Sequence, residues 1–515
     1  MSEFNLLDEK WIAVRKGAQI EELSLKEVLA KAHEIDGLAG ELPTQDAAIL
    51  RLLLAVLYAS LAREERAYSD AIEFWKGLYE EAKRFPMAEI EGYLEGYRDR
   101  FWLFDDEKPF LQVAGLQTAD GKINPIAQIV ADVPSREERR FFSTMNGAAV
   151  QSISFAEAAR WLVDLQAWDY AGKKASVVGG APNGGGTGWC GKLGLIYPRG
   201  KNLFQTLMLN FVLLNSSGAG EPLPFAPPAW EQPPRTAAKL ELRPKSYVEL
   251  LTWQSRRARL FAENGRATGI ISSYGDVFEK GNTFIEQMSG WHQSSIAKQG
   301  FIPKTHDSTR QIWRDLGALL PLKGDTSKET RRPPVLAWLN ELKIRGTIPL
   351  VAVGYEYGPM QGVVDTMISD SLHINAELLG HLDDDWAQRI VDVLVQTDRG
   401  VYALGRFAND LDKAAGGDGK SAGDLPKLQA YAALDEPFRD WLARISPQED
   451  DIEEKMIKWR ATARKELLKR GTALAAEAGS AAFVGRKDKN GRLVNTPIAH
   501  RWFFGEISKH LGKGG

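Results

Sequence analysis

The order of apolar and polar positions separates the chain into two stretches. Up to about residue 370, short β-prone runs are interleaved with helical patterns; from Ser371 onward a helical period dominates. Trp11–Val14 reads as a short strand. Ser24, with Glu27 three residues on, forms a capping box that opens a helix over Leu25–Glu34. Thr44–Arg63 is apolar on most faces, which predicts a buried helix, and Ala67–Phe85 reads as an amphipathic one. Phe101–Gly115 is aromatic-rich but broken by Pro109, so it reads as an edge strand or a loop. Between Leu116 and Asn146 the pattern dissolves, and a loop of that length is usually functional or disordered. Ser154 caps a helix over Phe155–Trp168. Strands are predicted around Leu250–Phe261, Ile270–Tyr274 and Ile348–Gly354, with a helix near Ser308–Leu320. The later stretch holds helices over Ala376–Ala415, Leu425–Ile445, Pro447–Ala478 and Thr496–Leu511, with breakers at Gly416–Gly423, Ser446–Pro447 and Gly485–Gly491. The expected fold is α+β: a large mixed N-terminal domain over residues 1–370, then an up-and-down four-helix bundle over 371–515.

Composition narrows the classes. A single cysteine, Cys190, excludes a disulfide framework and any multi-thiolate zinc site, and it points to a reducing, cytoplasmic compartment. The most apolar stretch, Ile49–Ala62, is short and contains Arg51, so no membrane span is read. The first residues, MSEFNLLDEKW, lack the apolar core of a signal peptide. A net charge of −3 sets the chain apart from basic nucleic-acid coat proteins and leaves local patches as the route to any nucleic-acid contact. Seven histidines are scattered without metal spacing. His381, Asp383, Asp384 and Asp385 could form a ligand set, but acids that open a helix explain them as well. No metal and no cofactor are expected.

Several groupings carry candidate chemistry. Glycine is dense between Gly172 and Gly194, without GxGxxG or a P-loop pattern. A flexible surface loop accounts for it, as does backbone approaching a partner closely; a hydrolase or nucleotide-binding enzyme built on residues 172–194 is the alternative. From Lys455 to the end there are 14 Lys/Arg against 4 Asp/Glu. On one helix, Lys455, Lys458, Lys465 and Lys469 fall within roughly an 80° arc, with Arg464 further round. Such a stripe is either a solvated face or a nucleic-acid track. Arg256, Arg257 and Arg259 read as a solvated strand edge. In VGYEYGPMQGVVD, Gly354, Gly358, Pro359 and Gly362 imply a tight turn with Met360 and Gln361 at its tip. This is either a plain strand-to-helix turn or a rigid probe for a groove.

A set of segments then points to a family. FNLLDEKWIAVR, FWLFDDEKPFLQ, SFAEAARWLVDLQAWD, GTGWCGKLG, PRGKNLFQTLMLN, LTWQSRRARLF, HDSTRQIWRDLGALL and VAVGYEYGPMQGVVD occur in this order. Together they resemble the CasA large subunits of the type I-E CRISPR surveillance complex, Cascade. The resemblance implies a non-catalytic subunit that reads a protospacer-adjacent motif (PAM) from the minor groove, begins strand separation, and helps recruit a helicase-nuclease, while guide RNA supplies sequence specificity. It implies as partners the backbone, small and handle-binding subunits, CRISPR RNA, double-stranded target DNA and its displaced strand, and no membrane. By the same resemblance, the groove-reading loop maps to Asp169–Lys174, with Gly172 and Lys173 as contacts, and a motif-facing lysine maps to Lys280. The glutamine wedge maps to Gln361, flanked by Met360 and Gly362. Contact with the RNA handle maps to Phe142, Ser143 and Thr144, with Phe141 an equal occupant. Lys455, Lys458, Arg464, Lys465 and Lys469 become a track for the displaced strand.

Overall fold

The computed structural model describes residues 3–64, 66–131, 133, 150–181, 184–215, 221–279, 285–295, 300–322, 330–380, 385–487 and 491–512. Two compact units emerge. One comprises Met1–Arg310, Asp325–Leu342 and Ile348–Ser371; the other comprises Gln311–Gly324, Lys343–Thr347 and Leu372–Gly515.

The first unit is organised around the helix Pro43–Leu61, whose side chains are buried on nearly every face. It starts ahead of the apolar stretch seen in the sequence. Its 19 residues are therefore long and apolar enough to cross a bilayer, but 89% of the window is buried inside the protein, which makes it a core helix. Arg51 is tolerated there because its guanidinium grips Glu286 with two bonds of 2.9 Å. Burial alone would raise the Glu286 carboxyl; Arg51 and the Trp189 indole N–H hold it below the usual carboxylate range. Against this core lies the helix Phe155–Trp168. Both predicted capping boxes are present, Ser24 with Glu27 and Ser154 with Glu157. The first helix ends at Ala30, earlier than its apolar pattern suggests. The predicted helix Ala67–Phe85 is Tyr68–Lys76 followed by a wider π-type turn over Gly77–Ala82.

The strands form several sheets of two or three strands rather than one large sheet. Arg256–Glu263 and Arg266–Tyr274 make an antiparallel hairpin closed by Asn264 and Gly265, both at positive φ. Leu250, expected in a strand, belongs instead to the short helix Tyr247–Leu251, and the strand begins at Arg256. A second three-stranded sheet runs in the order Val364–Asn375, Thr347–Tyr357, Leu195–Pro198. The turn at Gly358–Gly362 thus joins two strands; it is not a strand-to-helix turn. Val364, Ile368, Leu372 and Ile374 alternate with Asp365, Ser369, Ser371 and His373, a period of two that outweighs the helical signal downstream.

The second unit contains the expected helices at Trp386–Ala415, Asp424–Ala443, Ile452–Glu477 and Thr496–Leu511, with a short extra helix at Gly479–Val484. Two glycines let the helices approach closely. A Cβ on Gly400 would sit 2.7 Å from Leu467, and one on Gly471 would sit 2.2 Å from the Phe503 ring. Phe407 stacks on Phe503 at 5.0 Å, while Trp313, Phe438 and Trp459 form a second aromatic cluster. These rings supply much of the apolar burial that holds the bundle together.

Candidate nucleic-acid interface

The first site grows from the end of the helix Phe155–Trp168. Its C-cap, Asp169, starts a loop that Arg256 ties at several points. That guanidinium bonds the Asp169 carboxylate and donates to the carbonyls of Asp169 (3.1 Å), Tyr170 (3.0 Å), Gly186 (2.8 Å) and Ser255 (2.9 Å). Arg256 is 1% exposed and Arg257 is 0% exposed. Arg257 pairs with Asp276, which also binds Arg235 at 2.9 Å, and it donates to the Ala238 carbonyl at 2.9 Å. Half-buried Arg259 lies 4.8 Å over the Phe261 ring. The reading as a solvated edge is therefore corrected for Arg256 and Arg257, which are internal ties, while half-buried Arg259 also donates to the Leu116 carbonyl at 3.2 Å. Arg256 and Arg257 satisfy their charge with a carboxylate and carbonyls, most of them supplied by other segments.

The loop's lysines divide. Lys174 is buried, with its ammonium 2.6 Å from Asp169 and 3.9 Å from the centre of the Tyr170 ring. Lys173 is exposed. Gly172 rests against the tip of the strand hairpin. A Cβ there would be 3.0 Å from the Gly362 carbonyl and 2.3 Å from the Tyr170 ring. Next to it, the Ala171 amide donates to the Gln361 carbonyl at 2.8 Å. The loop and the turn, separate in sequence, are joined in the structure.

The turn closes on itself through Gly358 N–H to Val363 (3.1 Å), Gln361 N–H to Gly358 (2.9 Å) and Gly362 N–H to Pro359 (3.1 Å). Met360 and Gln361 adopt φ of 55° and 54°, two consecutive side-chain-bearing residues in the left-handed region. Each such residue costs on the order of 1 kcal/mol or more and persists only where its surroundings fix it. The Gln361 amide is bonded within the turn and its carbonyl accepts from Ala171, while both side chains are exposed; Met360 is 95% exposed. Below the turn, the Tyr357 hydroxyl donates to the Trp168 carbonyl at 2.6 Å, the Tyr355 hydroxyl meets Thr44 at 2.9 Å, and the Trp168 indole donates to the Thr44 carbonyl at 2.8 Å. Burial drives the Tyr357 ionisation well above the usual range, so the hydroxyl stays a neutral donor.

Part of the glycine density, Gly188 and Gly191, is explained in this frame. Gly188 donates to the Asp169 carbonyl at 2.8 Å, and a Cβ there would lie 2.4 Å from the Ala167 carbonyl. A Cβ on Gly191 would lie 2.3 Å from the Tyr357 hydroxyl. At Gly188 and Gly191 the backbone is closed over by protein atoms, whereas Gly179, Gly184 and Gly186 sit at positive φ with room around a Cβ. Cys190 is buried, and burial pushes its thiol up to about 12.

On the bundle helix Ile452–Glu477 the basic stripe is uneven. Lys455 is held by Asp450 (2.9 Å) and the Arg444 carbonyl (2.8 Å). Arg464 donates to the Gly512 carbonyl at 3.0 Å and lies 5.5 Å over the Phe504 ring. Lys458 pairs with Glu454 at 2.5 Å, an exposed contact of little worth. Lys465 and Lys469 are exposed and, among the described residues, pair with no carboxylate. The exposed aromatics Trp502 and Phe504 on the last helix were not anticipated from the sequence.

Comparison with known proteins decides the family. A profile described as CRISPR-associated protein Cse1 matches residues 5–469. The chain belongs to the Cse1 family. It is 28% identical to a CRISPR-associated protein CasA/Cse1 of Thermus thermophilus, over 94% of each chain. Its fold is similar to the crystal structure of Thermobifida fusca Cse1, with a TM-score of 0.87 and 33% identity over 99% of this chain and 98% of that one. It is also similar to a chain of a solved CRISPR RNA-guided surveillance complex, with a TM-score of 0.66 and 18% identity over 93% and 100% of the two chains. The resemblance to CasA read from the eight sequence segments therefore holds, as does the mixed fold with a helical C-terminal region. Within this Cse1 chain, Gly172, Lys173, Met360, Gln361 and Gly362 come together in one place. Lys280, Phe141, Phe142, Ser143, Thr144, His381, Asp383 and Asp384 lie outside the described residues. Among the described residues, no group of three His, Cys, Asp or Glu side chains could hold a metal ion.

Proposed function

We propose that this chain is the non-catalytic DNA-recognition subunit of a cytoplasmic CRISPR RNA-guided surveillance complex, and that it acts by prying open target duplex. In this reading the Gly172–Lys173 loop enters the minor groove at the PAM, with Lys280 as a further contact, while the turn at Met360–Gln361–Gly362 is pushed beneath the motif. Phe142, Ser143 and Thr144 touch the guide-RNA handle. The displaced strand runs along Lys465 and Lys469, with Lys458 assisting, whereas Lys455 and Arg464 support the bundle itself. The chain also offers a docking surface to the helicase-nuclease.

The observation that carries this reading is the direct backbone bond between Ala171 and Gln361. A groove reader and a wedge must keep a fixed distance, and here one hydrogen bond and one glycine contact set it. Opening a base step costs on the order of a few kcal/mol, offset by protein contacts and by guide pairing. A long polar side chain beside an apolar one suits strand separation, since Gln361 can replace base-pair hydrogen bonds while Met360 covers an unstacked face. The test is strand opening in the reconstituted complex, read by the fluorescence of a 2-aminopurine next to the motif. Gln361→Ala should keep duplex binding within about threefold while slowing opening roughly tenfold or more. Lys173→Ala should weaken binding itself. Opening at the normal rate in Gln361→Ala removes the wedge.

A further inference from the structure

A second concavity lies in the first unit, at the root of the strand hairpin rather than at its tip. It encloses about 460 Å³, with Arg15, Arg199 and Lys201 at its mouth and Tyr197 within. That volume falls in the roughly 300–1,000 Å³ range of small-ligand clefts. Local structure places each group. Tyr197 is paired in register with Val351 of the hairpin, and the Arg199 amide donates to the Pro349 carbonyl at 2.9 Å, which fixes the chain where it leaves the strand. Arg15 sits opposite Gly37 in the neighbouring small sheet. Lys201 precedes Asn202, whose side chain caps the helix Leu203–Asn210.

The charges do not cancel. Among the described residues Arg15, Arg199 and Lys201 form no ion pair, and all three are exposed. Of the two acids in the lining, Asp36 is occupied by the Gly17 amide at 2.7 Å. Asp46 accepts from the Gly40 amide at 2.7 Å, and burial lifts its carboxyl to about 7, which removes much of its negative charge at neutral pH. Behind the cations the wall is apolar, formed by Leu38, Leu50, Leu203 and the hairpin's Val351 and Val353. Three cations without a carboxylate partner around a concave mouth, with an apolar wall and the hydroxyls of Tyr197, Thr206 and Ser369 in the lining, suit a compact multivalent anion carrying an organic body. A polymer backbone would be matched better by a stripe.

We propose that this cleft binds a small phosphorylated organic anion of nucleoside-monophosphate size, its phosphate held by Arg15, Arg199 and Lys201 and its body against the Val351 wall. The site is separate from the hairpin tip and needs neither RNA nor DNA.

The test is calorimetric titration of the full chain alone, with adenosine monophosphate, adenosine and inorganic phosphate as probes. The monophosphate should bind saturably below about 1 mM, and adenosine at least roughly tenfold more weakly, because a charge-assisted contact is lost. The double variant Arg15→Ala/Arg199→Ala should weaken the monophosphate about thirtyfold or more. Lys201→Ala should weaken it by about fivefold, and unchanged circular dichroism would show that both variants fold. Four results would overturn the proposal: no saturable heat up to about 5 mM monophosphate; equal affinity for adenosine; affinity indifferent to the substitutions; or competition by a single-stranded oligonucleotide at far lower concentration, which would assign the cleft to nucleic acid. None of these bears on strand opening by Gln361, which is measured in the assembled complex.

Discussion

Arg256 is where the geometry makes its firmest demand. Replacing it with Met keeps most of the volume and removes every polar contact. The variant removes the guanidinium partner of the Asp169 carboxylate, leaving its pair with Lys174, and takes a donor from each of the carbonyls of Tyr170, Gly186 and Ser255. Breaking a buried ion pair by removing one partner costs about 3–5 kcal/mol. Each carbonyl left dry adds about 1 kcal/mol, while Lys174 and the apolar Met side chain return part of the loss. The net expectation is about 3 kcal/mol of destabilisation. Arg256→Lys should lose about 2 kcal/mol, because one ammonium cannot reach acceptors spread over four residues. Pairing either variant with Asp169→Asn in a double-mutant cycle should give a coupling of about 2 kcal/mol. Urea denaturation followed by tryptophan fluorescence gives the global figure. Amide exchange at Gly188, whose N–H is bonded to the Asp169 carbonyl, reports the local opening, and its protection should fall about a hundredfold. A global loss under about 1 kcal/mol, together with unchanged Gly188 protection, would refute the claim that Arg256 holds the loop.

Two further outcomes follow from the charges described above. Lys465→Glu with Lys469→Glu should lower the salt slope of single-strand binding by about 1.4, at roughly 0.7 per lost phosphate contact, and leave stability within about 0.5 kcal/mol; filter binding across a salt series checks the first and urea midpoints the second. Asp46 holds its proton more tightly when folded, its carboxyl lifted from 3.8 to about 7, so stability falls as pH rises through that window. Asp46→Asn keeps an acceptor for Gly40 and removes that dependence. It should be more stable than the parent at pH 8, by up to about 4 kcal/mol, and close to it near pH 4, as measured by urea midpoints at the two pH values.

What the sequence made legible was local. Capping boxes at Ser24 and Ser154 need four residues each, and both are present. The last helix, Thr496–Leu511, begins and ends where Asn495-Thr-Pro and Gly512 say it should. What escaped was settled by distance. The partners of Arg256 and Arg257 lie 87 and 19 residues away, so nothing beside WQSRRARLF announces that its charges are internal. The glycines after Gly186 looked like freedom and are in fact close packing, because the atoms that exclude a Cβ belong to Ala167 and Tyr357. The hairpin strand Val364–Asn375 was present in the sequence as a weak alternation and was hidden by the strong helical period that follows it. The family resemblance supplied Gln361 and Gly172 as separate points; their contact is a property of the folded chain.

That contact also bears on mechanics. A wedge must not bend back under the load it applies, and a bare β-hairpin in water is barely stable by itself. Here the strands are 11 and 12 residues long, but the length free to flex is much shorter. Tyr355 and Tyr357 tie the first strand to Thr44 and Trp168, which belong to the two principal helices of the first unit. Beyond Tyr357 only the turn projects, and it is closed internally by three hydrogen bonds and braced from outside by Ala171. Holding Met360 and Gln361 in the left-handed region is sustainable because of this bracing. Force on the Gln361 side chain therefore passes into the Asp169–Gly172 loop and, through Arg256, into the paired strands Arg256–Glu263 and Arg266–Tyr274. If the proposed function holds, the same bracing couples reading to opening: a substitution that loosens Arg256 should blunt strand opening while Gln361 itself is untouched.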